Sequence, residues 1–131
     1  MAADPISAYG ASLTPKQAAI CASLLKFLDA GLPKATSKVW HAIPVWFIGE
    51  NAVVGYTKKP GGVALMFWNG QSFEESQLEA VGSFRAAHIV YTDVSQISSK
   101  DMRRWLKKAA ADVWDLAGMR KARSGAGVRL P

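Results

Sequence analysis

Residues 45–68 read VWFIGENAVVGYTKKPGGVALMFW, and this stretch decides the fold. It contains three β-rich runs, VWFI, AVVGYT and VALMFW, separated by GEN and KKPGG, which are dense in residues that turn a chain tightly. Runs of this length joined by short turns predict an antiparallel meander. In the third run alternate residues point to opposite faces, and both sets are apolar. Helices usually cover one face of such a sheet, so the second apolar face needs another cover, a partner or a ligand.

A helix is predicted before the meander, over residues 15–31. Thr14 and Gln17 have the spacing of a capping box, and Pro15 fits the first helical turn because its missing N–H costs nothing there. Gly31 is suited to the left-handed conformation that closes a helix. Apolar residues recur inside it at three- and four-residue steps, as expected for a helix with one buried face.

Two shorter helices are predicted on either side of the meander. One covers 34–43 and ends before Pro44, because proline disfavours the helical conformation in the residue that precedes it. The other covers 72–82, where Ser72 and Glu75 have capping-box spacing.

A fourth strand is predicted over 86–92, followed by the longest helix of the chain, from Ser98 to Gly118. Trp114 falls outside the apolar stripe of this helix, beside Arg103 and Lys107. That position suits a partner surface or a cation–π pair.

The chain of 131 residues has the usual length of one domain. The sequence predicts an N-terminal extension over 1–13, a single α+β domain over 14–118 and a basic flexible tail over 119–131. Of the formal charge of +6, four positive charges lie in this tail, which leaves +2 on the rest of the chain. So few scattered charges disfavour a nucleic-acid groove.

Neither a membrane-spanning run nor a secretory signal is found in the sequence, since Lys26 and Asp29 interrupt the most apolar segment. Cys21 is the single cysteine and cannot form an internal disulfide. We expect a cytoplasmic protein in which Cys21 is a core residue.

The motifs of common catalytic and metal sites are missing from the sequence. It has no Cys-x-x-Cys, no His-x-x-x-His, no Gly-x-Ser-x-Gly elbow and no phosphate loop. His88 with Asp93 is a conceivable general base and its orienting group, but a single histidine on a strand is more often structural. The sequence favours a non-catalytic protein and leaves enzymatic activity open.

The aromatic residues of the meander predict a ligand site. Trp46, Tyr56 and Trp68 lie on three successive strands, and they share a face of the sheet if their pleats are in register. An aromatic hollow with few polar groups is typical of a ligand pocket, although the same rings could be ordinary core. The polar contacts would come from Asn69, Arg85 and His88.

The chain also contains VWHAIPVWFIGENAVVGY, VALMFWNG, GSFRAAHIVYTDVSQIS and a final Leu/Ala-rich helix. Together these segments resemble the YdhG-like family of small bacterial domains of unknown function, over residues 15–118. The most specific elements of the resemblance are Trp40, Pro44, Asn69-Gly70, Gly82, Arg85 and Ile97.

This resemblance implies a compact α+β domain, with N-terminal helices and a long C-terminal helix packed on an antiparallel sheet. The residues themselves predict four strands for that sheet. A member of the family is described as a frataxin-like iron chaperone, which implies iron binding on an acidic, oxygen-rich surface. The hard ligands available here are Glu50, Asp93, Glu74, Glu75 and Glu79.

Three functions are open at this point. The first is a binding protein whose aromatic sheet face takes a small molecule or a peptide. The second is an iron-handling protein, the one case in which a cofactor would be expected. The third is a homodimeric interaction module that uses Trp114 or the exposed second face. We expect no membrane partner and no nucleic-acid partner.

Overall fold

The computed structural model describes residues 5–82 and 85–115, and it confirms the α+β class with an antiparallel sheet. The sheet has six strands and not the predicted four, in the order β1-β2-β3-β4-β6-β5. The strands are β1 (Thr36–Trp40), β2 (Ile43–Ile48), β3 (Asn51–Lys59), β4 (Gly62–Phe67), β5 (Glu79–Ala80) and β6 (Ala87–Tyr91). The helices are α1 (Pro5–Ala11), α2 (Pro15–Gly31) and α3 (Ser99–Ala111).

Helix α1 lies in the segment that the sequence analysis placed outside the domain. Its Ile6 is buried in the main core, and the ring of Tyr9 lies 6.3 Å from that of Tyr56 on β3. The Tyr9 hydroxyl also accepts a hydrogen bond from the backbone N–H of Lys58. These contacts attach α1 to the sheet.

Helix α2 begins as predicted and ends differently. Thr14 and Gln17 form the expected capping box at its start. Gly31, however, is the last helical residue, and the cap is Leu32. A side chain at position 31 would overlap Leu106 of α3, so this glycine permits close packing of two helices instead of a left-handed turn.

The predicted helix over 34–43 is wrong, because these residues form β1 and the turn that leads into β2. His41 and Ala42 both have positive φ angles, 51° and 68°, and they make a two-residue hairpin loop between the paired residues Trp40 and Ile43. Val39 and its β-branched and aromatic neighbours favour a strand. Cross-strand pairing with β2 outweighs the weak helical pattern of this segment.

The predicted helix over 72–82 is also wrong. A short 3₁₀ turn covers Gly70–Phe73, and the chain then continues through Glu74, which has a φ of 57°, into the two residues of β5. The side chain of Glu75 does not cap this turn, because it binds Arg104 and Lys108 of α3.

Helix α3 begins at the predicted cap, where Ser98 accepts a hydrogen bond from the backbone N–H of Asp101. It ends at Ala111 with Asp112 as its cap, so the predicted end at Gly118 is wrong, and α2 is the longer of the two helices. The predicted tail over 119–131 lies outside the described residues. None of the described helices is both long enough and apolar enough to cross a membrane.

The two faces of the sheet are packed differently. The main core lies between the sheet and the three helices, and it includes buried residues from α1, α2 and α3. A smaller cluster lies on the opposite face, which we call the open face, and every residue of that cluster comes from the strands or from the position directly after β4. The open face therefore supplies the second apolar surface that the sequence predicted.

Candidate functional site

The three aromatic residues of the predicted site do not share a face of the sheet. Trp46 and Tyr56 lie in the main core, each about 1% exposed, with ring centroids 5.8 Å apart. The indole Nε1 of Trp46 donates a 2.9 Å hydrogen bond to Asp29 Oδ1 on α2. Tyr56 is directly opposite Leu65, and Trp68 follows Leu65 by three residues, so Trp68 points to the open face.

Tyr56 does border a small hollow on the helix-covered side. This hollow has a volume of about 290 Å³ and lies between α1 and α2, where Gly10 and Cys21 also line it. Cys21 is buried, as predicted, and burial raises the pKa of its thiol to about 11. The thiol is therefore protonated and unreactive near neutral pH.

Three rings at one end of the open face form a group that we call the aromatic patch: Trp40, Phe47 and Trp68. The centroid of Trp40 lies 5.4 Å from that of Phe47 and 6.2 Å from that of Trp68. The first pair meets edge to face, and the second is tilted by 44°. Both tryptophans are only half-buried, so part of each ring remains accessible.

A glycine in the neighbouring strand lets Trp68 approach the sheet. A Cβ atom at Gly55 would lie 3.4 Å from Cζ3 of Trp68, 3.2 Å from Val45 Cγ2 and 2.7 Å from the carbonyl oxygen of Pro44. The indole therefore lies across a strand position that has no side chain. Even alanine at position 55 would overlap the Pro44 carbonyl oxygen and disturb the β2–β3 pairing, and a side chain longer than alanine would also reach the Trp68 ring.

Positive charge lies beside the aromatic patch. The Lys38 ammonium is 4.9 Å from the centroid of the Phe47 ring, a cation–π distance, and the imidazole of His41 is 4.3 Å from the Trp40 ring. Lys38 is exposed and forms no ion pair with any residue in the two described ranges. A planar ligand with a negative group would meet both ring surface and an uncompensated cation here.

His88 also lies on the open face, away from the aromatic patch. It is half-buried on β6, directly opposite Met66 on one side and Glu79 of β5 on the other. His88 pairs with Met66, Met66 pairs with Gly55, and Gly55 pairs with Val45. Two strands therefore lie between His88 and the strand of Val45. The predicted pairing of His88 with Asp93 is not seen, since the Asp93 carboxylate accepts two hydrogen bonds from Ser95.

Asn69 and Arg85 bind the chain that follows α3. Asn69 is buried, and its Nδ2 donates a 3.0 Å hydrogen bond to the carbonyl oxygen of Asp112. The guanidinium of Arg85 lies 4.9 Å from the ring centroid of Trp114. Of the two roles suggested for Trp114, a partner surface or a cation–π pair, the structure shows the pair, with Arg85 as its cation. Asn69 and Arg85 therefore both have a structural contact, and their role in ligand binding stays a prediction.

The acidic residues suggested as iron ligands do not form a cluster. Within the described ranges no group of three or more His, Cys, Asp or Glu side chains is placed to hold a metal ion. The Glu75 carboxylate lies 2.7 Å from Arg104 and 2.6 Å from Lys108. Its hydrogen bond with Arg104 is the main cause, and Lys108 a further one, of a carboxyl pKa well below the usual range. Hydrogen bonds from Ser95 lower the pKa of Asp93. Glu50, Glu74 and Glu79 are exposed on separate segments.

Sequence reasoning missed Lys38, Trp40 and Phe47 as members of the candidate site. The error follows from the wrong helix over 34–43, which removed β1 from the sheet. A usable signal was present, since His41 and Ala42 are a two-residue gap between a β-rich run and IPVWFI, the spacing of a tight hairpin.

The resemblance to the YdhG-like family remains an expectation. Comparison of the chain with family models, with curated proteins and with solved structures gives no match.

Proposed function

We propose that this protein is a non-catalytic binding domain whose aromatic patch takes a planar, negatively charged small molecule. The observation that carries the proposal is the grouping of Trp40, Phe47 and Trp68 on the open face, with Lys38 beside them. This site replaces the predicted one on Trp46 and Tyr56, which the helices cover.

The chemistry of the patch supports a ligand that has both a ring and an acidic group. Half-buried indoles offer flat apolar surface and lose little conformational freedom on binding, because few torsions have to be fixed. Lys38 is exposed and unpaired among the described residues, so a carboxylate or sulfonate there would gain an ion pair without breaking another. A neutral aliphatic ligand would use neither feature.

The test uses anilinonaphthalenesulfonate, a planar aromatic anion whose fluorescence rises when it leaves water. We expect saturable enhancement with the native protein. In Trp68→Ala, binding should be weaker by about tenfold, which corresponds to the ~1.4 kcal/mol upper range of one aromatic contact. Val90→Ala is the matched control, because Val90 is exposed on the same face outside the patch and its loss should leave binding unchanged.

A second readout locates the probe. In a ¹H–¹⁵N spectrum the indole N–H signals of Trp40 and Trp68 should shift on titration, whereas those of the buried Trp46 and Trp105 should not. Equal affinity of Trp68→Ala and the native protein, with near-ultraviolet circular dichroism showing that both are folded, would exclude the aromatic patch as the site.

The iron and homodimer alternatives stay predictions. Iron binding would require carboxylates from separate segments to gather, and the Glu75 carboxylate would first have to leave Arg104 and Lys108. Anaerobic titration calorimetry with ferrous iron tests the first alternative, and light scattering over a range of protein concentrations tests the second. No contact among the described residues favours either one over the aromatic patch.

A further inference from the structure

Among the described residues, the sheet ends in a five-residue strand on one side and in a two-residue strand on the other. Strand β1 is the last strand on its side, has five residues, and is exposed along most of its length. At the opposite edge β5 has only two residues. Very short edge strands resist the addition of another strand, whereas a regular five-residue edge presents backbone groups that can pair with one.

The register of the β1–β2 hairpin shows which backbone groups are available. Trp40 and Ile43 flank the two-residue loop and form the hydrogen-bonded pair that closes it. Because hydrogen-bonded and non-hydrogen-bonded pairs alternate, Lys38 bonds to β2, whereas Ser37 and Val39 direct their N–H and C=O groups outward. Pro44, opposite Val39, has no N–H to offer, which agrees with this assignment. Four backbone groups therefore face away from the sheet.

A groove runs beside these backbone groups on the helix-covered side. It has a volume of about 480 Å³ and lies between β1 and the helices α1 and α2. Its apolar walls are Ile6, Leu25 and Val39, and Val39 is 36% exposed. The side chain of Ser37 also lines the groove, since Ser37 pairs with Trp46 and points to the same side.

The two sides of the β1 edge differ in charge. Lys38 points to the open face, where it is exposed and without an ion pair in the described ranges. Asp29 lines the groove on the other side, which Lys38 also borders, and it accepts a hydrogen bond from Trp46. An acidic side chain would therefore be favoured opposite Lys38 and disfavoured in the groove, where an apolar side chain fits.

We propose that the β1 edge binds an extended peptide as a seventh, antiparallel strand, with acidic residues on the open-face side alternating with small apolar residues that fill the groove. Backbone hydrogen bonds to Ser37 and Val39 would supply affinity, and the alternation of side chains would supply specificity. This site shares Lys38 with the small-molecule site, but it uses the strand edge and the groove instead of the ring surfaces of Trp40 and Trp68, so Trp68→Ala and Ser37→Pro test the two proposals separately.

A foreign peptide fits this edge better than a second copy of the chain does. If β1 pairs with itself about its central residue, Lys38 lies directly opposite Lys38 of the second copy, and like charges in that position are destabilising. A register shifted toward the hairpin would bring His41, with its positive φ angle, into the ladder. Lys38 therefore acts against self-pairing and in favour of an acidic strand.

The probe is the unlabelled peptide Glu-Val-Glu-Val-Glu, acetylated and amidated at its ends, and its binding is measured by isothermal titration calorimetry. A peptide of the same composition in the order Val-Val-Glu-Glu-Glu is the control for charge alone. We expect the alternating peptide to bind and the control peptide to bind at least about tenfold more weakly, since it cannot satisfy both sides of the strand. Amide hydrogen exchange at Ser37 and Val39 should slow when the alternating peptide is added.

Two variants separate the backbone contribution from the charge contribution. Ser37→Pro removes one outward N–H at an edge position where proline is tolerated, and it should weaken binding by about three- to tenfold. Lys38→Glu should lose the acidic peptide and gain binding of Lys-Val-Lys-Val-Lys, while Lys107→Glu on the exposed side of α3 is the matched charge control.

Equal binding of the two peptide orders, or unchanged binding by folded Ser37→Pro, would overturn the proposal. If Ser37→Pro fails to fold, Lys38→Glu becomes the deciding variant. Unchanged preference of Lys38→Glu for the acidic peptide would overturn the proposal. Sedimentation showing a dimer that Ser37→Pro dissociates would assign the edge to a second copy, and the peptide proposal would then be wrong. Loss of the sulfonate site in Trp68→Ala would leave these outcomes unaffected.

Discussion

The two faces of this sheet carry the same kinds of residue and differ in what covers them. On the helix-covered face Trp46 contacts Tyr56 and is buried, and its indole N–H is bonded to Asp29. On the open face Trp40 and Trp68 also lie in ring contact, yet both remain half-exposed. Aromatic content therefore does not identify a site. What separates core from site is the strand register and the placement of the helices.

The largest expected effect is a loss of stability in a variant of the helix-covered face. Trp46→Ala should lower the free energy of unfolding by about 3–5 kcal/mol, the usual range for removing a large aromatic side chain from a core. It would also leave Asp29 without its indole donor. The reason is that Trp46 is about 1% exposed within the main core, so its removal would leave a cavity among buried side chains. Urea unfolding followed by far-ultraviolet circular dichroism measures the change.

The matched variant for this comparison is Trp40→Ala on the open face. Because the ring of Trp40 is already part-exposed, its loss should lower the free energy of unfolding by no more than about half as much. Equal losses for the two variants would show that the open face is packed as tightly as the helix-covered face, and the distinction between core and site would fail.

Much of the fold was predictable from local patterns. The capping box at Thr14, the cap at Ser98 and the three runs of the meander are signals contained in a few consecutive residues, and the structure confirms them. The errors arose where a distant partner decides the local structure. Residues 34–43 become a strand because β2 pairs with them, and Glu75 leaves its own turn because α3 offers two cations.

The candidate site was harder to predict than the fold, for a related reason. Alternation within a strand shows which residues share a face, but it does not fix how neighbouring strands align. Tyr56 pairs with Leu65, and an irregularity between Trp46 and Phe47 shifts the β2–β3 register by one residue. The predicted grouping of Trp46, Tyr56 and Trp68 needed a register that this strand pairing excludes. Trp68 alone of the three lies on the open face.

A smaller loss of stability is expected for a variant of the open face. Gly55→Ala should lower the free energy of unfolding by about 1–3 kcal/mol, because the new methyl group would meet the Pro44 carbonyl oxygen at 2.7 Å and the strands would have to move apart. It should also displace the Trp68 ring, which lies over this position. Urea unfolding measures the first effect, and the indole N–H shift of Trp68 measures the second.

The control for Gly55→Ala is Gly49→Ala, at the turn between β2 and β3. Gly49 has a positive φ of 62° with open space around it, so alanine there is strained by the backbone and meets no neighbour. It should lower stability without shifting the Trp68 signal. If both variants move that signal alike, the contact between Gly55 and Trp68 does not hold the patch in place.

The smallest expected effect depends on pH, because among the described residues the ion pairs lie on the helix side of the molecule. Arg104 and Lys108 lower the pKa of Glu75, so the ionised carboxylate stabilises the fold at pH values above the unfolded-state pKa of about 4.3. That stabilisation is lost as the pH falls through the lower folded-state pKa. Because both cations are more than one-third exposed, we expect Glu75→Gln to lower the free energy of unfolding at pH 7 by only about 1–2 kcal/mol.

Unfolding in urea between pH 7 and pH 2 tests this contribution, since the difference between the native protein and Glu75→Gln should shrink as the pH falls below about 4. Glu74→Gln is the matched control, because Glu74 is exposed and adjacent in sequence and has no ion pair in the described ranges. A difference that stays constant down to pH 2 would mean that the amide disturbs packing and that the charge of Glu75 contributes little. Since the described residues of the open face form no such pair, anilinonaphthalenesulfonate binding at pH 7 should be the same in Glu75→Gln and the native protein. A weaker signal would mean that the two faces are coupled through α3.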